Sequence, residues 1–135
     1  MLLNDKQILS LCGSENPMIS PFIPMKLSGY SVGFTPKDYI KVPSYGLSSC
    51  GYDIRLDLNN FKIFRGRDRF LIRLGDNNED CLELVEPKDG FVIIPSNSYA
   101  LGTTIEHFNI PKNICGRCFG KSTLARVGII VNVTP

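Results

Sequence analysis

Hydrophobic and polar positions divide the chain into three kinds of text. The start, MLLNDKQILSLCG, places Asn4 and Asp5 ahead of Lys6-Gln7-Ile8-Leu9, which predicts a capped short helix ending near Gly13. From Glu15 to about Gly46 the chain carries Pro17, Pro21, Pro24, Pro36 and Pro43. Each proline lacks an N–H and fixes its own φ, so this density predicts an extended, loop-rich wrap rather than helices. From Tyr52 onward the text becomes short β-type runs: YDIRLDL, FKIF, RFLIRL, CLELVE, GFVIIP, SYALGTTIE and GIIVNV. YDIRLDL alternates, with Ile54, Leu56 and Leu58 on one face and Asp53, Arg55 and Asp57 on the other, as a half-buried strand does.

Turn residues punctuate these runs at hairpin-like intervals: Asn59-Asn60, Gly66, Gly75-Asp76-Asn77-Asn78, Pro87-Lys88-Asp89-Gly90 and Pro95-Ser96-Asn97. No repeat, low-complexity tract or second domain interrupts them. The expectation is one mainly β domain over residues 1–135 with a single N-terminal helix. A formal charge of +2 is too small to argue for nucleic acid or a membrane surface. The apolar start is short and contains Asp5 and Lys6, so it reads as neither a signal peptide nor a membrane span. Five cysteines, an odd number with no export signal, fit a reducing cytoplasm better than a disulfide framework.

Two motifs carry candidate chemistry. Gly120-Lys121-Ser122 looks like the end of a P-loop, which requires four residues between its first glycine and the Gly-Lys pair. Only Arg117, Cys118 and Phe119 separate Gly116 from Gly120, and no long helix follows, because Gly128 and the β-branched IIVNV arrive too soon. The residues still suit an anion: Lys121 offers a point charge, Ser122 and Thr123 offer hydroxyls, and Arg126 lies one helical turn after Ser122. A capped surface turn with solvated Lys121 and Arg126 is the competing reading.

Cys115-Gly116-Arg117-Cys118 has the spacing of half a zinc site. Zinc nucleobase deaminases pair such a motif with an upstream H-x-E, whereas the single histidine here stands in Glu106-His107-Phe108-Asn109. Flanked by Ile114 and Phe119, the pair reads as cysteines of an apolar strand whose spacing is coincidental, and His107 is expected in a loop before Asn109-Ile110-Pro111. Arg65, Arg67, Arg69 and Arg73 form a basic cluster that reads as a solvated hairpin. Glu106 reads as a solvent-facing charge at a strand edge, and Ser48-Ser49-Cys50-Gly51-Tyr52-Asp53 as a turn leading into a strand.

Taken together, YGLSSCGYDIRL (Tyr45 to Leu56), PSNSYALGTTIE (Pro95 to Glu106) and GKSTLARVGIIVNVTP (Gly120 to Pro135) make the chain resemble the dCTP deaminase family of the dUTPase-like superfamily. The last stretch combines G-[KR]-S-[ST]-x-A-R-x-G with a following V-x-x-T-P. Its Ala125-Arg126-x-Gly128 continuation and Thr134-Pro135 ending favour the deaminase branch over the dUTPases; Cys50 departs from the aromatic residue often found there. The resemblance implies a distorted β-barrel, assembled as a homotrimer with sites between subunits. It implies hydrolysis of dCTP to dUTP and ammonia without zinc, Mg2+ accompanying the triphosphate. By the same resemblance Lys121, Ser122 and Thr123 contact phosphate, and Ser122 and Arg126 are catalytic. No nucleic acid or membrane partner is implied.

The family's general base is a glutamate beyond the Thr-Pro pair, and Glu83, Glu86 and Glu106 do not match its position. The expectation is a deaminase-like domain interrupted before its base-carrying strand and nucleotide lid, with GIIVNV as an unpaired apolar edge. Absence of a positioned base lowers a rate by about 10²–10⁴-fold. Two other readings accompany this one: a non-catalytic nucleotide-binding or oligomerisation module, and a dUTPase-like pyrophosphatase.

Overall fold

The computed structural model describes residues 1–32, 39–64 and 81–131. They form two compact units, one of Met1–Ile54 with Glu106–Pro135 and one of Arg55–Ile105. The described elements are mainly β: eight strands in antiparallel sheets and two short helices. No sheet among the described residues closes into a barrel. RFLIRL, the Arg65–Arg73 cluster and the Thr134-Pro135 ending lie outside the described residues.

In the first unit, helix α1 (Asp5–Cys12) begins where the sequence predicts. The Asn4 side chain accepts from the Gln7 amide and the Gln7 side chain accepts from the Asn4 amide, both at 3.0 Å. This reciprocal capping box satisfies two donors that a helix start otherwise leaves bare. Gly13 ends the helix by donating its amide to the Leu9 carbonyl. Ile8, Leu11 and Cys12 recur at helical spacing and turn one face inward, where Ile8 joins Met18, Ile19 and Leu47 in the core. Tyr52 and Phe22 pack against that cluster with their rings stacked at 5.6 Å.

The proline-rich segment is extended, as its composition requires, but it is not only a wrap. Strands β1 (Ile19–Ser20), β2 (Leu27–Val32) and β3 (Tyr39–Ser48) all fall within or begin in it, and Pro43 lies inside β3. β3 pairs with β2 on one side and with β4 (Gly51–Asp53) on the other. β3 and β4 form a hairpin closed by Ser49 and Cys50, with Gly46 opposite Asp53 and Leu47 opposite Tyr52. The alternation places Leu47 and Tyr52 in the core and leaves Asp53 on the other face.

YDIRLDL is not one strand. It breaks after Asp53, and the rest enters β5 (Leu56–Phe64) in the second unit, where Leu56 is exposed. There β5 lies between β6 (Leu82–Leu84) and β7 (Tyr99–Thr104). Asn59-Asn60 proves to be a bulge within β5 rather than a turn: the Asp57 carboxylate accepts from the Asn59 amide at 3.0 Å and the Asn60 side chain at 2.6 Å. Phe61 and Ile63 turn to the buried face of this sheet. Lys88-Asp89-Gly90-Phe91 is a two-residue hairpin turn, its central Asp89 and Gly90 at φ 51° and 78°. Asp-Gly is the pair that such a turn demands. GFVIIP forms no strand beyond that bridge, and Ile93 and Ile94 are exposed.

Strand β8 (His107–Phe108) pairs with β1, so His107 belongs to a short strand opposite Ser20 and not to a loop. Glu106, expected at a solvent-facing edge, is 2% exposed and is the most deeply buried charged residue described. The local alternation does not reveal this.

Gly46 is the most tightly enclosed of the described glycines of the first unit. Its φ is +95°, and a Cβ placed there would come 2.2 Å from the Met25 carbonyl oxygen. Gly46→Ala is therefore expected to destabilise the protein by about 2–4 kcal/mol, combining left-handed backbone strain with overpacking. Thermal or urea unfolding checks this; an unchanged midpoint would refute it.

Candidate functional site

The residues after Asn109 run without strand or helix to Lys121, where the chain enters the single helical turn α2 (Ser122–Ala125). Lys121 is the extended residue before the turn, and its carbonyl accepts the Leu124 and Ala125 amides. The Arg126 amide donates to the Ser122 carbonyl at 3.0 Å, so Ser122 and Arg126 are one turn apart, as their spacing predicts. Gly128 then closes the turn at φ +80°. Its amide bonds to the Ala125 carbonyl and the next amide, Ile129, to the Leu124 carbonyl. This pair of bonds is a Schellman motif, which needs a residue tolerant of positive φ, and it accounts for the glycine of A-R-x-G. Ser122, Thr123 and Arg126 are exposed on the turn.

Lys121 is placed differently. Its side chain reaches back to the β3–β4 hairpin, where the ammonium donates to the Ser44 carbonyl at 2.5 Å, to Ser44 Oγ at 2.9 Å and to Asp53 Oδ2 at 2.7 Å. Ser44 Oγ in turn donates to Asp53 Oδ2 at 3.2 Å. The Lys26 ammonium stands 3.6 Å from that oxygen, and its side chain is about half exposed. Local strand geometry explains the meeting. Gly46 is opposite Asp53, and Ser44, two residues earlier, lies on the same face as its diagonal neighbour.

Burial alone would push the Asp53 carboxyl up. The hydrogen bond and charge of Lys121, then the charge of Lys26 and the Ser44 hydrogen bond, outweigh it and hold the group below its ordinary value. The structure ties Lys121 to Ser44, which the sequence places in the proline-rich extended wrap, and to Asp53, which it places on a strand face. The available signal was a carboxylate directly after a core tyrosine, in Gly51-Tyr52-Asp53.

Cys115 and Cys118 are not in a strand. Both are exposed in the irregular segment before Gly120, with Ile114 alone of their neighbours packed on the core. GIIVNV does not form a strand over its described residues, and Ile130 is 89% exposed.

Comparison with known proteins covers nearly the whole chain. A family model described as dCTP deaminase-like matches residues 2–135. The dCTP deaminase of Orientia tsutsugamushi (strain Boryong) is 42% identical over 134 residues, covering 99% of this chain and 65% of that protein. That of Pseudomonas fluorescens (strain Pf0-1) is 42% identical over 132 residues, covering 98% and 64%. That of Rickettsia bellii (strain OSU 85-389) reaches 50% over 99 residues, covering 73% and 51%. The chain therefore spans just under two thirds of the length of the first two relatives.

The depressed Asp53 carboxyl makes a pH prediction. A group whose pKa is lower in the folded state stabilises the fold above its unfolded value, about 3.9, and that contribution disappears as pH falls through the folded value. Stability should hold steady down to about pH 5 and decline below about pH 4. In Asp53→Asn the decline should be shallower, as urea unfolding across that range would measure; an identical slope would refute it. The thiols give a second expectation: Cys50, Cys115 and Cys118 should react quickly with a disulfide reagent, and buried Cys81 only on unfolding.

Proposed function

The chain belongs to the dCTP deaminase-like family, and on that premise we propose that it takes part in hydrolysing dCTP to dUTP and ammonia. The observation that carries this reading is the GKSTLARVG segment within a family match that runs from residue 2 to residue 135. Lys121, Ser122 and Thr123 form the phosphate-contacting segment. Ser122 and Arg126, one turn apart, orient the cytosine and the attacking water.

The chemistry asks for such groups. Water adds at C4 of the cytosine while its proton passes to a base. That proton goes on to N3, the proton of the new C4 hydroxyl then passes to the 4-amino nitrogen, the C4–N4 bond breaks, and ammonia leaves as the C4 carbonyl forms. A cationic guanidinium and a hydroxyl supply fixed donors to the charge that develops on the ring. The carboxylate that accepts the water's proton belongs, by resemblance, to sequence C-terminal to Thr134-Pro135. The substrate is the magnesium complex of dCTP, the metal riding on the triphosphate oxygens. Among the described residues no three His, Cys, Asp or Glu side chains gather as a metal cluster.

The working form is a homotrimer in the cytoplasm. All five cysteines are unpaired thiols, which suits a reducing compartment. No described helix is long and apolar enough to cross a membrane. Leu84, Leu101 and Tyr99 stand exposed on one face of the β5–β7 sheet, apolar area that association of copies would bury.

In the whole enzyme, Ser122→Ala and Arg126→Ala should each lower kcat for ammonia release by about 10²–10³-fold, the usual weight of an electrostatic donor. Turnover should resist zinc chelators. Full activity in either variant would remove these residues from the site. Pyrophosphate released from dUTP would replace the deaminase with a pyrophosphatase, and dCTP binding without turnover would favour a binding module.

A further inference from the structure

Lys121 raises a question that the proposed function leaves open. An ammonium has three N–H donors, and all three meet protein oxygens: the Ser44 carbonyl, Ser44 Oγ and Asp53 Oδ2. The lysine is therefore not a free point charge beside the phosphate segment. It is held by residues 68 and 77 positions away in sequence.

We infer that Asp53 and Ser44 are positioning residues of the nucleotide site, acting through Lys121 to fix the segment that presents Ser122 and Thr123. This inference rests on the nucleotide reading above. Three observations support it. First, the residues from Asn109 to Lys121 contain no regular element, so the approach to Ser122 needs an external anchor. Secondly, the anchor is stiff: Asp53 and Ser44 stand on a hairpin whose opposite face supplies Leu47 and Tyr52 to the core. Thirdly, the ammonium belongs to the residue directly before Ser122, so its hold acts one peptide from the proposed contact.

Charge bookkeeping agrees with a phosphate site. Lys26 and Lys121 share one carboxylate, which leaves the cluster with a net positive charge while holding Lys121 in a single place. Binding of an anion then begins from an ordered segment rather than from a mobile lysine, and less conformational freedom is lost on binding.

The test compares dCTP with dCMP, both with Mg2+, by titration calorimetry on the chain and its variants. Asp53→Asn should weaken dCTP binding about tenfold, the weight of a partly buried hydrogen bond to a charged group. Its effect on dCMP, which lacks the outer phosphates, should be much smaller. Ser44→Ala should act in the same direction while leaving both charges in place, and so serves if Asp53→Asn does not fold. In a Lys121→Met background, Asp53→Asn should add little, since its action runs through the lysine.

Equal losses for dCTP and dCMP would reduce Asp53 to a structural residue and overturn the inference. So would tighter dCTP binding, which would make Asp53 a competitor for the lysine, or full additivity with Lys121→Met. If the unsubstituted chain binds no dCTP, the nucleotide reading falls and this inference with it. If it binds dCTP and Asp53→Asn and Ser44→Ala bind it equally well, only the positioning role falls.

Discussion

The pairing of β3 with β4 is the constraint that organises the first unit. A two-strand hairpin presents alternate residues to opposite faces, and here each face has a different task. Leu47 and Tyr52 turn inward to meet Ile8, Met18 and Ile19, while Ser44 and Asp53 turn the other way to receive Lys121. A slip of one residue in this register would exchange the two faces, exposing the core pair and burying the carboxylate. The Asp5 amide, bonded to the Ser49 carbonyl at 3.0 Å, joins the helix start to the hairpin tip. Apolar packing therefore sets the position of a polar clamp.

On the proposed reading, that arrangement reconciles two demands on the GKST segment. A loop that recognises phosphate needs exposed donors, and exposed donors on irregular chain are poorly ordered. Ser122, Thr123 and Arg126 remain exposed on their turn, but the turn is closed at one end by the Schellman bonds at Gly128 and Ile129. At the other end Lys121 is held by the hairpin. Both ends are fixed by hydrogen bonds, and neither fixing uses the hydroxyls of Ser122 or Thr123. The segment lies within the dCTP deaminase-like family match over residues 2–135.

The second unit follows a simpler rule. β5 carries Phe61 and Ile63 inward, and its bulge at Asn59-Asn60 shifts the register between Asp57 and Phe61 against β7. The asparagines that read as turn residues do bend the chain, through their bonds to the Asp57 carboxylate. They do so inside a paired strand, because β5 resumes its pairing with β7 at Phe61 after the bulge.

Local chemistry was legible directly from the sequence. The Asn4–Gln7 capping box, the stop at Gly13, the Asp89-Gly90 turn and the one-turn separation of Ser122 and Arg126 all depend on residues a few positions apart. So does the mainly β character, and the family itself was readable from three contiguous motifs. Other features were settled only by chain brought together from afar. YDIRLDL has unbroken alternation yet divides between two units, and Glu106 is buried although its neighbours resemble a strand edge. The cysteines of an apolar-looking run are exposed, and Asp53 meets Lys121 across 68 residues. The caps and the Asp89-Gly90 turn are decided by bonds within a few residues, so the sequence suffices for them. Burial and ion pairing depend on which distant surface arrives opposite a side chain, and only the folded chain determines that.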